Sequence, residues 1–146
     1  MTARRLAPAI PNVLGFIALF LLAGCAHFSG PPKELDYSRT RTSEGGRYRG
    51  TIRPQGDSIP TGRLQTWTLH LETAAGAAID TAAVSVDGGM PQHGHGLPTK
   101  PQVTRQLGRG DHLVEGMKFN MGGWWVIKFR LDAAAGQDSL IFNLSL

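Results

Sequence analysis

Leu64-Gln65-Thr66-Trp67-Thr68-Leu69-His70-Leu71-Glu72 decides the fold class. Trp67, Leu69 and Leu71 fall on one phase of a two-residue period, and Thr66, Thr68, His70 and Glu72 fall on the other. Strict alternation of this kind marks a half-buried β-strand, with Trp67, Leu69 and Leu71 turned to a core. His70 then points to the other face, as an exposed or cross-strand residue and not as a ligand.

The same rhythm recurs on both sides. Upstream, Tyr48, Gly50 and Ile52 alternate with Arg47, Arg49, Thr51 and Arg53, and Pro54-Gln55-Gly56-Asp57 is a turn. Downstream, residues 78–86 form a strand with Ala82, Val84 and Val86 on one face, and Asp87-Gly88-Gly89 is expected to break it. Residues 102–107 and 112–119 flank a glycine-rich hairpin turn at Gly108-Arg109-Gly110-Asp111. Gly122-Gly123 interrupts the chain again. Trp125, Ile127 and Phe129 then share a face, and Leu140, Phe142, Leu144 and Leu146 close the chain. About seven short strands with turn signals every 8–12 residues, and no amphipathic helix, predict an all-β, immunoglobulin-like antiparallel β-sandwich over residues 46–146.

The N-terminus reads differently. Arg4 and Arg5 precede an apolar run from Val13 to Ala23, which ends Leu22-Ala23-Gly24-Cys25. A run of about eleven residues suits a signal h-region and falls short of the roughly 20 that span a bilayer. The segment resembles a bacterial lipoprotein signal. Residues 1–24 are then removed, Cys25 is lipidated, and residues 25–45 form a tether rich in Ser, Thr, Pro and charge. His27 lies in that tether and is read as incidental. Cys25 is the only cysteine, so no intrachain disulfide is available. The resemblance implies palmitate-type acyl chains and a periplasm-facing envelope location. Ala26, not Asp, after the cysteine implies outer-membrane sorting.

The charge excludes one class of partner. The full chain carries +4, but without Arg4 and Arg5 it has 13 basic and 11 acidic residues. That balance gives no argument for nucleic acid. Arg39, Arg41, Arg47, Arg49 and Arg53 are read as a solvated tether and an exposed strand face. No Ser-His-Asp order, paired carboxylates or phosphate loop stands out. Asp87, Asp111 and His112 are scattered turn and strand residues, so the chain is not read as an enzyme.

The chemistry gathers in two stretches, Met90-Pro91-Gln92-His93-Gly94-His95-Gly96 and Gly116-Met117-Lys118-Phe119-Asn120-Met121-Gly122-Gly123-Trp124. Apart from the initiator, every methionine lies in them. Thioethers and imidazoles together suit copper, Cu(I) above all. His93 and His95 sit two apart, so an extended backbone would point them to opposite faces. They converge only if the chain turns at Gly94, where glycine permits it. Met117 and Met121 would stand about 13 Å apart on a straight strand, too far to share an ion unless a bulge compresses the segment. The set expected to hold copper is therefore His93 and His95 with Met121 or Met117, with Met90 behind these. The competing reading makes the methionines core filler and the domain a metal-free interaction module. It would dock another envelope protein through Trp124, Trp125 and the glycine loops.

These two stretches, in this order, resemble the YtkA-like and FixH-like domains of bacterial envelope proteins. The likeness runs over residues 47–146 and is strongest over 87–130. It implies a small β-sandwich and marks Met90, His93, His95, Met117 and Met121. Several relatives are tied to copper handling or to assembly of copper-containing oxidases. This chain departs from the FixH-like pattern by having a lipoprotein-type signal in place of a transmembrane helix. The assembly role is therefore not carried over.

Overall fold

A computed structural model describes residues 32–146. The expected signal segment, Cys25 and His27 lie outside the described residues.

The described chain is all-β. Nine strands run in the order β1 (Thr40–Thr42), β2 (Tyr48–Pro54), β3 (Gln65–Thr73), β4 (Ala83–Met90), β5 (His95–Gly96), β6 (Gln102–Gly108), β7 (Asp111–Met117), β8 (Trp124–Ala133) and β9 (Gly136–Ser145). One 3-10 turn, Pro91–His93, separates β4 from β5. The spatial order is β1-β2-β3-β7-β6-β4-β8-β9, with β5 beside β4, and every pairing is antiparallel. Between β6 and β4 the ladder narrows to the single pair Ser85 and Gln102. At the other limit, Glu44 N donates to Ser139 O at 2.8 Å and draws the β1–β2 turn onto β9. The sheet thus curls into a near-barrel, a sandwich whose two halves meet at both sides.

The two-residue period explains the core. Tyr48 and Ile52 of β2, Trp67, Leu69 and Leu71 of β3, Trp125, Ile127, Phe129 and Leu131 of β8, and Leu140, Phe142 and Leu144 of β9 are all buried. Their neighbours on the opposite phase are exposed or half-buried. Burying a large apolar side chain contributes about 1.5–3 kcal/mol, so a one-residue slip in any of these strands would forfeit several such terms at once.

A carboxylate pins the barrel shut. Asp138 of β9 accepts from Ser43 Oγ (2.7 Å) and from the N–H groups of Gly45 (2.8 Å), Ser139 (2.8 Å) and Arg47 (3.2 Å). Burial would raise its pKa, but these four bonds outweigh that and hold it at about 2. Nearby, Tyr48 Oη donates to Gly136 O.

The strand expected over 78–86 begins at Ala83, and three other differences from the sequence reading each have a local reason. Thr40–Thr42, inside the stretch read as tether, pairs with Arg49, Gly50 and Thr51 of β2; three polar residues are too few to show a period. Gly88 and Gly89 do not break β4, which runs on to Met90. Added methyl groups there would stand 2.5 Å from Val126 O and 2.4 Å from His95 O, so glycine serves close strand approach. The expected strand over 112–119 stops at Met117 after a bulge. Gln65 and Thr66 of β3 face Met117 and Glu115, which leaves Gly116 as the extra residue, at φ 86°.

Candidate functional site

The 3-10 turn after β4 brings the two histidines together. Pro91 starts the turn with its fixed φ, and Gly94 ends it in the left-handed region at φ 64°, ψ 22°. The chain reverses there and β5 returns along β4. As a result the His93 and His95 rings stack, with centres 5.8 Å apart and planes 28° apart. Both residues are exposed. Imidazoles this close come within reach of one ion held at about 2 Å once the exposed rings turn so that both lone pairs converge.

The His95 tautomer follows from its partner. Nδ1 lies 3.1 Å from Gly96 O. A carbonyl only accepts, so Nδ1 carries the hydrogen and Nε2 offers the lone pair. An imidazole oriented through its second nitrogen is the arrangement metal-binding histidines adopt.

The ladder decides which methionine is nearest. Met90 is the register partner of His95 across β4 and β5. Partners in an antiparallel pair share a face, with Cβ atoms about 5 Å apart. The β4–β8 register pairs Gly89 with Val126, and one further step sets Met90 opposite Trp125. His95, Met90 and Trp125 therefore form a row across three strands on one face. Trp125 reaches along this row to His95, with ring centres 5.8 Å apart and planes 65° apart.

Met90, the middle residue of this row, is 1% exposed. Its Cε would stand 2.8 Å from a methyl group built on Gly123, which sits at φ 121°. Glycine there makes room for the Met90 side chain.

The other two methionines take separate places. Met117 is buried opposite Gln65, turned inward by the Gly116 bulge. Met121 is 44% exposed, and its carbonyl accepts from Trp125 Nε1 at 3.0 Å. The fold thus sets His95 and the Met121 carbonyl against Trp125, with His93 stacked on His95, while Met90 and Met117 both belong to the buried core. Of the three methionines weighed from sequence, Met90, placed last there, is the one in register with a histidine.

Trp125 is fully buried, which removes it from any docking surface and corrects that part of the interaction-module reading. Trp124 is half-buried, with Nε1 donating to Asn143 Oδ1 at 3.0 Å. From Trp125 a line of ring contacts continues inward to Phe119 (5.2 Å) and Trp67 (6.1 Å). Arg39 caps the line, its guanidinium 5.3 Å from the Trp67 ring, with its pKa lowered by burial. The loop after β2 closes over Phe119 through Gly62 N, which donates to Phe119 O.

A shallow cleft of about 250 Å³ lies beside the histidines, bordered by Asp87, Met90, Gly94, His95, Val126 and Lys128. Larger clefts lie between β4 and β9 and between β4 and β6, and no His or Met lines either. Elsewhere, His70 lies across from Asp111, with Nδ1 and Oδ1 2.7 Å apart, as a cross-strand pair. His112 is buried and donates from Nε2 to Ile79 O. Both histidines are held structurally.

The family model described as YtkA-like matches residues 51–130, more than half of the chain. The match runs from β2 into β8 and contains Met90, His93, His95, Met117 and Met121. No curated protein and no solved structure matches the chain.

Proposed function

This chain belongs to the YtkA-like family, and on that premise we propose that it binds copper at the mouth formed by His93, His95 and Met90. In this reading it is a copper carrier or buffer that turns over no substrate. Cys25 would carry the lipid that anchors it in the envelope, facing the periplasm, on the outer membrane where the source has one.

The observation that carries the copper reading is the pairing of Met90 with His95 beside the stacked His93 ring. Two neutral imidazoles and one thioether make a soft, low-charge donor set. Such a set suits Cu(I) and offers little to magnesium or calcium, which call for oxygen ligands. Met121, whose carbonyl is tied to Trp125 Nε1 and whose side chain is exposed, would offer a second thioether during transfer.

The test is a Cu(I) titration of the purified chain against a competing chelator, with the His93→Ala/His95→Ala double variant alongside. One-to-one binding that the double variant loses supports the reading. Equal chelator competition by both proteins would sink it.

A further inference from the structure

We infer that Trp125 sets the metal selectivity of this mouth, favouring a monovalent d10 ion, Cu(I) or Ag(I), over a divalent one such as Zn(II). The inference rests on the proposed copper site and asks what decides which ion that site takes.

Trp125 is a fixed wall. It is fully buried, its Nε1–H is tied to Met121 O at 3.0 Å, and Phe119 packs against it edge-to-face at 5.2 Å. An indole held at two points cannot swing aside to admit a further ligand. It also stands in line with Met90 and touches the His95 ring at 5.8 Å. An ion held by His95 therefore has indole carbon beside its imidazole on the inner side, while Asp87, Val126 and Lys128 border the cleft on the outer side.

That border acts differently on the two kinds of ion. Zn(II) takes four ligands in a tetrahedron, and it would have to recruit the remainder here from nitrogen, oxygen or thiolate. Among the described residues no three His, Cys, Asp or Glu side chains are grouped to hold an ion. A soft monovalent ion is satisfied by imidazole and thioether. It also gains from a neighbouring π-system, since desolvated cation–aromatic contacts contribute roughly tenfold in affinity. Wall and donor set therefore push in the same direction.

The experiment compares the full chain with Trp125→Phe, which keeps an apolar ring in the core. Cu(I) and Zn(II) affinities are measured by chelator competition, and Ag(I) is titrated while indole fluorescence is followed. The expected result is about a threefold loss of Cu(I) affinity in Trp125→Phe, whose ring keeps part of the cation–aromatic contact, with Zn(II) binding unchanged or stronger. Ag(I) should perturb indole emission in the native chain and in Trp124→Phe, and the Trp125-dependent part should vanish in Trp125→Phe. A folded Trp125→Phe protein with the native Cu(I)-to-Zn(II) ratio would overturn the inference while leaving the copper site intact. If Trp125→Phe fails to fold, the Ag(I) response decides: a response in Trp67→Phe/Trp124→Phe, where Trp125 is the sole indole, supports the wall, and none overturns it. Absence of Cu(I) and Ag(I) binding by the native chain would instead remove the copper site, and the inference with it.

Discussion

Replacing Asp138 with Ala opens the clasp that closes the barrel. Asp138 accepts four hydrogen bonds, three of them from the β1–β2 turn about ninety residues away in sequence. The Ser139 bond is local, and water can replace the carboxylate at the exposed Gly45 and Arg47 amides. Ser43 is 4% exposed and loses the acceptor of its hydroxyl. Bonds to a charged acceptor contribute about 1.5–3 kcal/mol each, and solvent replacement reduces the sum, so the expected loss is roughly 3 kcal/mol. For a domain of this size that lowers Tm by roughly 10 °C. The pH dependence has a definite sign. The folded pKa of about 2 lies below the usual carboxylate value, so this stabilisation is complete above that usual value, about 4, and fades as pH falls from there toward 2. Thermal melts of native and Asp138→Ala protein at pH 7 and pH 2.5 should show a gap that narrows in acid. A gap under 2 °C at pH 7, or one equally wide at pH 2.5, would refute the clasp.

Two glycines of the site make further tests. Gly94→Val forces a β-branched residue into the left-handed region at φ 64°, at a cost of about 1–2 kcal/mol. The turn should relax and separate the imidazoles, seen as lost ring-to-ring NMR contacts and a Cu(I) affinity about tenfold weaker. Gly123→Ala adds a methyl group 2.8 Å from Met90 Cε in a backbone conformation that disfavours side chains. It should cost roughly 2 kcal/mol in chemical denaturation and shift the Met90 methyl resonance, while leaving that of Met117 in place.

Much of this fold was legible in the sequence because its strands bury one face each. Trp67, Leu69 and Leu71, and likewise Trp125, Ile127 and Phe129, announced both strand and orientation. The convergence of His93 and His95 was legible too, since Gly94 stands where a turn is needed. The row His95–Met90–Trp125 was not. It depends on the register between β4, β5 and β8, a long-range property that local period cannot supply. The role of Gly88 and Gly89 was hidden for the same reason. A glycine pair reads as a break unless the backbone that approaches it is known. The bulge at Gly116 likewise became visible only against β3, and it explains why Met117 turns into the core. The Gly122-Gly123-Trp124-Trp125 run was the available signal: small residues beside large rings at the start of a strand point to close packing against another element.

The central claim is that Met90, among the three methionines of the described residues, supplies the thioether to copper held by His93 and His95. The most direct measurement is X-ray absorption at the copper edge of the Cu(I)-loaded chain, beside Met90→Leu and Met121→Leu. Leucine replaces methionine in the core at a cost below about 1.5 kcal/mol, so the fold survives the change. The account predicts nitrogen and sulfur scattering in the native chain, with sulfur lost in Met90→Leu and retained in Met121→Leu. Sulfur scattering that persists in Met90→Leu would contradict it.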